Sequence, residues 1–196
     1  MVDSFCYLGD VSGQSGGCFD AITLRVLSAW KNFRDLLPIL TNRGFSSSVR
    51  GLVYNSCVRS VLLYGSETWA VKVENINRLT RNDNSMIRWT SSAKLSDRKS
   101  MSELRHFLGL LGVAEVVRWG RLRWYGHLMR MNPDNWPREI LDYQIEGSYS
   151  HGRPSKRWLD CINDDLKHLN VDAPLAQNSV LWRRPIWPRG HEHGGV

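Results

Sequence analysis

The chain has 196 residues, of which 42% are apolar and 23% charged, and its formal net charge is +7. This balance is typical of a folded globular protein and excludes a fibrous or intrinsically disordered chain. No apolar run reaches the roughly 18 residues that a membrane-spanning helix needs, so we expect no membrane partner. The excess of cations, carried mostly by arginine, predicts a polyanionic partner.

The four cysteines lie far apart, and none is paired with another cysteine or a histidine at the spacing of a zinc site. The N-terminus carries no secretory signal. We therefore expect free thiols in a reducing intracellular compartment, nuclear or cytoplasmic, and a protein that is not secreted.

The first predicted elements are a short strand and a long helix. The apolar run at residues 5–9 predicts the strand. Because a folded domain rarely starts with a bare strand, we expect the chain to begin inside a larger protein. The helix is predicted over residues 18–37, where Pro38 ends it. Its apolar stripe comprises Ala21, Leu24, Leu27 and Phe33.

Two more helices are predicted next in the chain. Ser46, Ser47 and Ser48 supply an N-cap for the second helix, and its apolar stripe leaves Arg50 and Arg59 on the solvent side. That stripe comprises Val49, Val53, Cys57, Val61 and Tyr64. A third helix is predicted over residues 74–89, although residues 81–85 in its middle are poor helix formers.

The segment from residue 112 to 131 alternates arginines with large aromatic side chains at helical spacing. It follows a short helix that Ser100 or Ser102 caps. On a 3.6-residue wheel one stripe of the segment is apolar and predicts core packing; it comprises Val113, Val117, Trp124, Leu128 and Met131. Off this stripe lie Arg118, Trp119, Arg121, Arg123, Met129 and Arg130.

Two interpretations of this segment remain open. In the first, the arginines bind nucleic-acid phosphates and the off-stripe tryptophan stacks on bases. Alternatively, the helix is an ordinary amphipathic core helix, since cation–π pairs are also common structural devices.

Residues 152–158 (Gly-Arg-Pro-Ser-Lys-Arg-Trp) add the candidate phosphate contacts Arg153, Lys156 and Arg157. Arg153 can enter an A·T minor groove, or Pro154 can simply begin the last helix. The apolar positions of that helix are Trp158, Ile162, Leu166 and Leu169. Residues 187–196 are expected to be a disordered tail.

No group for catalysis is evident in the sequence. Polymerases and nucleases need carboxylates that converge on two metal ions. Asp164 and Asp165 are adjacent in a predicted helix, so their side chains point about 100° apart. Asp160 and Asp164 share a face that is typical of a solvated helix surface. The sequence therefore predicts no catalytic residue, no metal site and no cofactor.

Four motifs occur in a fixed order: Phe-Cys-Tyr-Leu-Gly at 5–9, Ser-Val-Leu-Leu-Tyr-Gly-Ser-Glu-Thr-Trp at 60–69, Gly-Arg-Leu-Arg-Trp-Tyr-Gly-His at 120–127, and the Gly-Arg-Pro segment at 152–158. This series resembles the C-terminal region of a non-LTR (LINE-type) retrotransposon reverse transcriptase over about residues 5–186. Two segments depart from the family pattern. The family is more basic at the positions of residues 82–85, and it has Trp-Met-Cys-Gly at the positions of residues 89–92.

The resemblance implies a role for each segment. Tyr7, Leu8 and Gly9 would be the strand and turn of the palm that steady the primer. Residues 18–89 would be the thumb, and the later arginine-rich segments would bind template RNA and target DNA. The family's catalytic carboxylates lie in an aromatic-Ala-Asp-Asp motif upstream of the Tyr-Leu-Gly run. This motif is not in the chain, and neither are the ligands for the Mg²⁺ that the parent polymerase would use.

We therefore expect a mainly α fold, in which a short strand precedes a thumb-like helical bundle and a smaller helical module follows. The expected domains are residues 1–16 (end of palm), 17–95 (thumb-like), 96–186 (post-thumb) and 187–196 (tail). The expected function is that of a non-catalytic polymerase fragment that binds RNA or DNA and the missing palm and fingers. The alternative is an inert remnant of a decayed retroelement.

Overall fold

A computed structural model describes residues 4–7, 10–13, 18–143 and 156–186, and within them the chain is mainly helical. Strands β1 (Ser4–Tyr7) and β2 (Asp10–Gly13) form an antiparallel pair with Ser4 opposite Gly13. The helices are α1 (Phe19–Asp35), α2 (Leu37–Leu40), α3 (Ser47–Val53), α4 (Ser60–Leu62), α5 (Val73–Thr90), α6 (Met101–Leu108), α7 (Val113–Met129), α8 (Trp136–Asp142), α9 (Trp158–Leu169) and α10 (Ser179–Ile186).

The chain divides into two compact units, Met1–Val116 and Val117–Val196. The domain boundary predicted at residues 95–96 does not coincide with this division. Helix α6 packs on α3 and α5, so residues 101–108 belong to the first unit. The predicted tail at 187–196 lies outside the described residues.

Helix α1 confirms the predicted element but corrects its buried stripe. Ala21 and Phe33 are buried, whereas Leu24 and Leu27 are exposed. The buried positions in their place are Ile22, Val26 and Ala29. Steps of four, three and four residues keep one face of a helix turned inward, while repeated steps of three drift around it. Pro38 lies in the first turn of α2, which follows α1 directly.

Residues 47–62 form one helical run whose middle, Tyr54–Arg59, is a π-turn. Ser46 caps it by accepting from the Val49 amide at 3.3 Å. The buried stripe predicted here is wrong, because it exposes Val49, Cys57 and Tyr64. Arg50 and Arg59, predicted to face solvent, are buried. Both have internal acceptors, and the Arg50 Nη1 donates to the Thr90 carbonyl at 2.6 Å.

Arg59 and Asp83 form a fully buried ion pair at the centre of the first unit. The Arg59 Nε and Nη2 donate to the two Asp83 carboxylate oxygens at 3.0 and 2.9 Å. The Tyr54 hydroxyl donates to the same carboxylate at 2.7 Å. Burial, and then the nearby Asp83 charge, raise the pKa of Tyr54 well above its ordinary value. Asp83 thus ties the middle of α5, where residues 81–85 are poor helix formers, to Tyr54 and Arg59.

Helices α3 and α6 cross so closely that only glycine fits at the crossing. A Cβ atom at Gly51 would collide with the Leu108 carbonyl oxygen. At the start of α6 the Ser100 hydroxyl accepts from the Glu103 amide at 3.2 Å, and the Glu103 carboxylate accepts from the Ser100 amide at 2.7 Å. This capping box confirms Ser100 as the predicted cap.

The second unit has its own core, which α7, α9, α10 and the turn of 3₁₀ helix at Ala173–Gln177 share. The buried side chains are Leu122, Tyr125, Ile162, Leu166, Val171, Ala176, Trp182 and Ile186, and Trp158 and Leu169 pack against them. The helix predicted from residue 158 is confirmed with this stripe inward. The Trp182 indole lies against the α7 backbone, donating from Nε1 to the Leu122 carbonyl at 3.1 Å. A Cβ at Gly126 would collide with that indole.

Candidate nucleic-acid interface

Helix α7 turns a broader face inward than its sequence predicts. Val113, Val117 and Leu128 are buried as predicted. Trp124 and Met131 are only half-buried. Leu122, Tyr125 and Arg121 are buried although the apolar stripe omits them. The extra burial has a cause on α9, which supplies both apolar partners and a carboxylate.

That carboxylate is Asp165, and it corrects the prediction that Arg121 is displayed outward. Asp165 is 6% exposed and Arg121 is also 6% exposed. The Arg121 Nε donates to one Asp165 oxygen at 2.7 Å, and the Arg118 Nε lies 3.4 Å from the other. One carboxylate therefore holds two of the predicted phosphate contacts. Charge-assisted contacts of this kind are strong when they are removed from solvent.

Arg123 and Trp119 form a stacked pair on the other side of α7. The Arg123 guanidinium carbon lies 4.7 Å from the centroid of the Trp119 ring. Arg123 is exposed, and Trp119 is half-buried with its remaining surface against the core of the second unit. Among the described residues, no carboxylate lies within ion-pairing distance of Arg123. The guanidinium of Arg123 is therefore exposed as predicted, whereas it covers one face of the Trp119 ring, the side chain predicted to stack on bases.

Three further predicted cations have internal contacts but remain accessible. Arg130 is exposed, and its Nη1 donates to the Ala176 carbonyl at 2.7 Å. The Lys156 Nζ donates to Asp164 at 2.7 Å, which raises the pKa of Lys156 and lowers that of Asp164. Arg157 is exposed, 3.6 Å from Asp160. Exposed pairs such as these are weak and exchange partners readily.

The remaining predicted site residues are described only in part. The backbone of Tyr7 lies in β1, while Leu8, Gly9 and Arg153 lie outside the described residues. The last helix has Arg157 as its N-cap, so Pro154 is not in its first turn and the helix-starting interpretation of Pro154 is wrong. The helix itself begins at Trp158.

The sequence analysis did not identify a stripe along α7 and the residue after it, in which Arg123, His127 and Arg130 are exposed and Gly120 is half-buried. Steps of three and four residues bring Gly120, Arg123, His127 and Arg130 to one side of the helix, and we call these four positions the α7 stripe. His127 is exposed, and its ring centroid lies 5.3 Å from that of Trp124. Trp119 and Trp124 flank the stripe on opposite sides.

The sequence analysis also did not identify Asp165 as the partner of the α7 arginines, although its position in α9 indicates that it is buried. Asp165 lies four residues after Cys161 and one before Leu166, so it shares the inward face of α9. A carboxylate on an apolar helix face requires a buried cation as its partner, and α7 offered two.

The described residues contain no group of three or more histidines, cysteines or carboxylates that could hold a metal ion. None of the described helices is both long and apolar enough to cross a bilayer. Comparison of the chain with protein-family models, with curated proteins and with solved structures gives no match.

Proposed function

We propose that this chain is a non-catalytic segment of a retrotransposon reverse transcriptase that binds the backbone of RNA or DNA. The observation that carries the proposal is the exposed Arg123 guanidinium stacked on Trp119, 4.7 Å from the ring centroid, on a helix that also exposes Arg130. A guanidinium suits phosphate contact because its planar fork binds two oxygens at once. The four motifs in family order support the parentage.

The arginines paired with Asp165 favour a second candidate, in which α7 is purely a packing element. Arg118 and Arg121 are held by Asp165, and their charge is partly neutralised inside the second unit. In that case the chain is an inert remnant with no affinity for nucleic acid. The two candidates differ in what the exposed Arg123 does.

A salt titration tests the proposal. Binding to labelled single-stranded and duplex oligonucleotides should weaken steeply as salt rises, because each phosphate contact releases a counterion. Arg123→Glu should weaken binding and lower the slope of log K against log salt by about one. Its melting temperature should fall only slightly, since Arg123 is exposed and loses only its contact with the Trp119 ring. Lys167→Glu, an equal charge change at an exposed position of α9, is the matched control.

Two outcomes of that titration favour the packing candidate. The first is no detectable binding at low salt. The second is an equal loss in Arg123→Glu and Lys167→Glu, because a loss that is independent of position reflects net charge alone.

Primer extension on an RNA template tests the non-catalytic part of the proposal. We expect no incorporation with Mg²⁺ present, because two-metal polymerisation needs converging carboxylates. Incorporation above a no-enzyme control would contradict it.

The missing palm and fingers are the second partner under this proposal, and the helices of the first unit would be the thumb. Exposed apolar side chains in that unit support a protein partner; the most exposed are Leu27, Leu52 and Val73. Large apolar surfaces left open on one part of a protein commonly contact another part.

A further inference from the structure

The three glycines inside the long helices have different environments, and one of them has no packing explanation. Gly51 and Gly126 lie where a side chain would collide with a neighbouring element. At Gly120 a Cβ atom would meet no other described residue within 4 Å, apart from its own helix backbone and chain neighbours. A glycine inside a helix is less stable than alanine. One function that such a glycine can serve is to let a ligand approach the backbone closely.

The open space at Gly120 has π-systems on both sides. On one side the Arg123 guanidinium covers the Trp119 ring at 4.7 Å. On the other, Trp124 pairs with His127 at 5.3 Å between ring centroids and an interplanar angle of 34°. Side chains on a helix lean toward its N-terminus, so Arg123 and Trp124 lean toward the turn that holds Gly120. Helix geometry therefore predicts a notch here, with the Gly120 backbone as its floor and the two flat pairs as its walls.

We propose that this notch, with Gly120 as its floor and the Arg123–Trp119 and Trp124–His127 pairs as its walls, holds an unpaired base of a single-stranded nucleic acid. A base is flat and stacks on guanidinium planes and aromatic rings alike. Arg130, farther along the α7 stripe, lies where it can contact the adjoining phosphates. The bases of a duplex are already stacked and paired, so a duplex presents only its backbone to this surface.

This inference rests on the proposed nucleic-acid binding and narrows it to single strands. It also assigns a role to Gly120 that differs from that of Arg123. Arg123 contributes charge to any polyanion, whereas the space above Gly120 matters only if a group enters it.

The experiment compares two substitutions at Gly120 with one control. Gly120→Ala partly fills the notch and should raise stability, because it replaces a helix-interior glycine where the new methyl group meets no other side chain within 4 Å. Gly120→Leu fills it. Asn163→Leu places the same side chain at an exposed position of α9 and is the matched control. Affinities are measured by fluorescence anisotropy for oligouridine and oligothymidine of about 20 nucleotides and for a blunt duplex of equal length.

We expect the unmodified chain to bind single strands about tenfold more tightly than the duplex, the effect of stacking one base. Gly120→Leu should lose that difference and bind single strands only as well as duplex, with Gly120→Ala between the two. Asn163→Leu should behave like the unmodified chain. A preference for RNA or for DNA supports the proposal equally, because the base is the group recognised.

Two results would overturn the proposal, and they are distinguishable. If all forms bind single strands and duplex alike and Gly120→Leu binds as tightly as the unmodified chain, the notch is not a base site, while backbone binding stands. If no form binds any oligonucleotide at low salt, both this inference and the proposed function fail.

Discussion

At the residue scale, the most informative groups are four charged side chains that form two buried ion pairs. Arg59, Arg121, Asp83 and Asp165 are all buried, each with an oppositely charged partner. Hydropathy cannot identify them, because the partners of each pair lie 24 and 44 residues apart in the chain. Of these four residues, only Asp165 can be recognised as buried from its local sequence, because it lies on an otherwise apolar helix face.

Replacing Asp165 should destabilise the second unit far more than replacing its neighbour. Asp165→Asn removes the charge that balances Arg118 and Arg121, and breaking a buried pair costs about 3 kcal/mol. Asp164→Asn, at an exposed position, should stay within about 0.5 kcal/mol. Urea unfolding of the two variants measures both. Equal stabilities would contradict the structural role given to Asp165.

The Tyr54 hydroxyl predicts a loss of stability in alkali. Its pKa is raised in the folded chain, so the unfolded chain releases this proton first, and stability is present below about pH 10 and lost as the pH rises above it. Tyr54→Phe should flatten that decline, while costing about 1 kcal/mol at neutral pH for the lost hydrogen bond to Asp83. Thermal melts between pH 7 and pH 11 test this prediction. An unchanged alkaline slope in the variant would exclude Tyr54 as the cause.

At the scale of the elements, periodicity predicted the positions of most helices correctly. It assigned the wrong buried face to part of α1 and to the helical run at residues 47–62. The positions of α5, α6, α7 and α9 follow from caps and apolar spacing. The inward face of the helical run at residues 47–62 does not, because buried arginines occupy it and a π-turn interrupts it. Helix α10 was not predicted, since Trp182 is followed by two arginines and Pro185.

The close crossing of α3 and α6 at Gly51 predicts that a larger residue there lowers the stability of the first unit. Gly51→Ala should destabilise the first unit by about 1–3 kcal/mol, because the new methyl group would meet the rigid Leu108 carbonyl. Ser48→Ala, exposed on the same helix, is the control and should have little effect. Thermal denaturation compares them. A Gly51→Ala protein as stable as the control would mean that α3 and α6 can move apart.

At the scale of the whole molecule, the fold class followed from composition and periodicity, while the arrangement of the candidate site did not. The net charge of +7 predicts a polyanionic partner, but it does not distinguish arginines held by Asp165 from one that is open to solvent. The proposed notch at Gly120 could not be predicted from the sequence either, because a hydropathy pattern does not show where a missing side chain leaves open space.

The division into two cores predicts separable effects on local stability. Gly126→Ala should loosen the second unit, because the added methyl group displaces the Trp182 indole, and hydrogen exchange should speed up at residues 158–169. Gly51→Ala should instead accelerate exchange at residues 47–62 and 101–108. Exchange that rises everywhere in both variants would indicate a single cooperative unit.

The pairing of two arginines with Asp165 has a consequence for handling the protein. The shared carboxylate withholds Arg118 and Arg121 from an added polyanion, so the folded chain should bind RNA mainly through exposed cations such as Arg123. RNA bound to the folded form stabilises it by mass action, so RNA carried over from the cell at low ionic strength should raise the apparent melting temperature. Nuclease treatment or a high-salt wash during purification should lower it again.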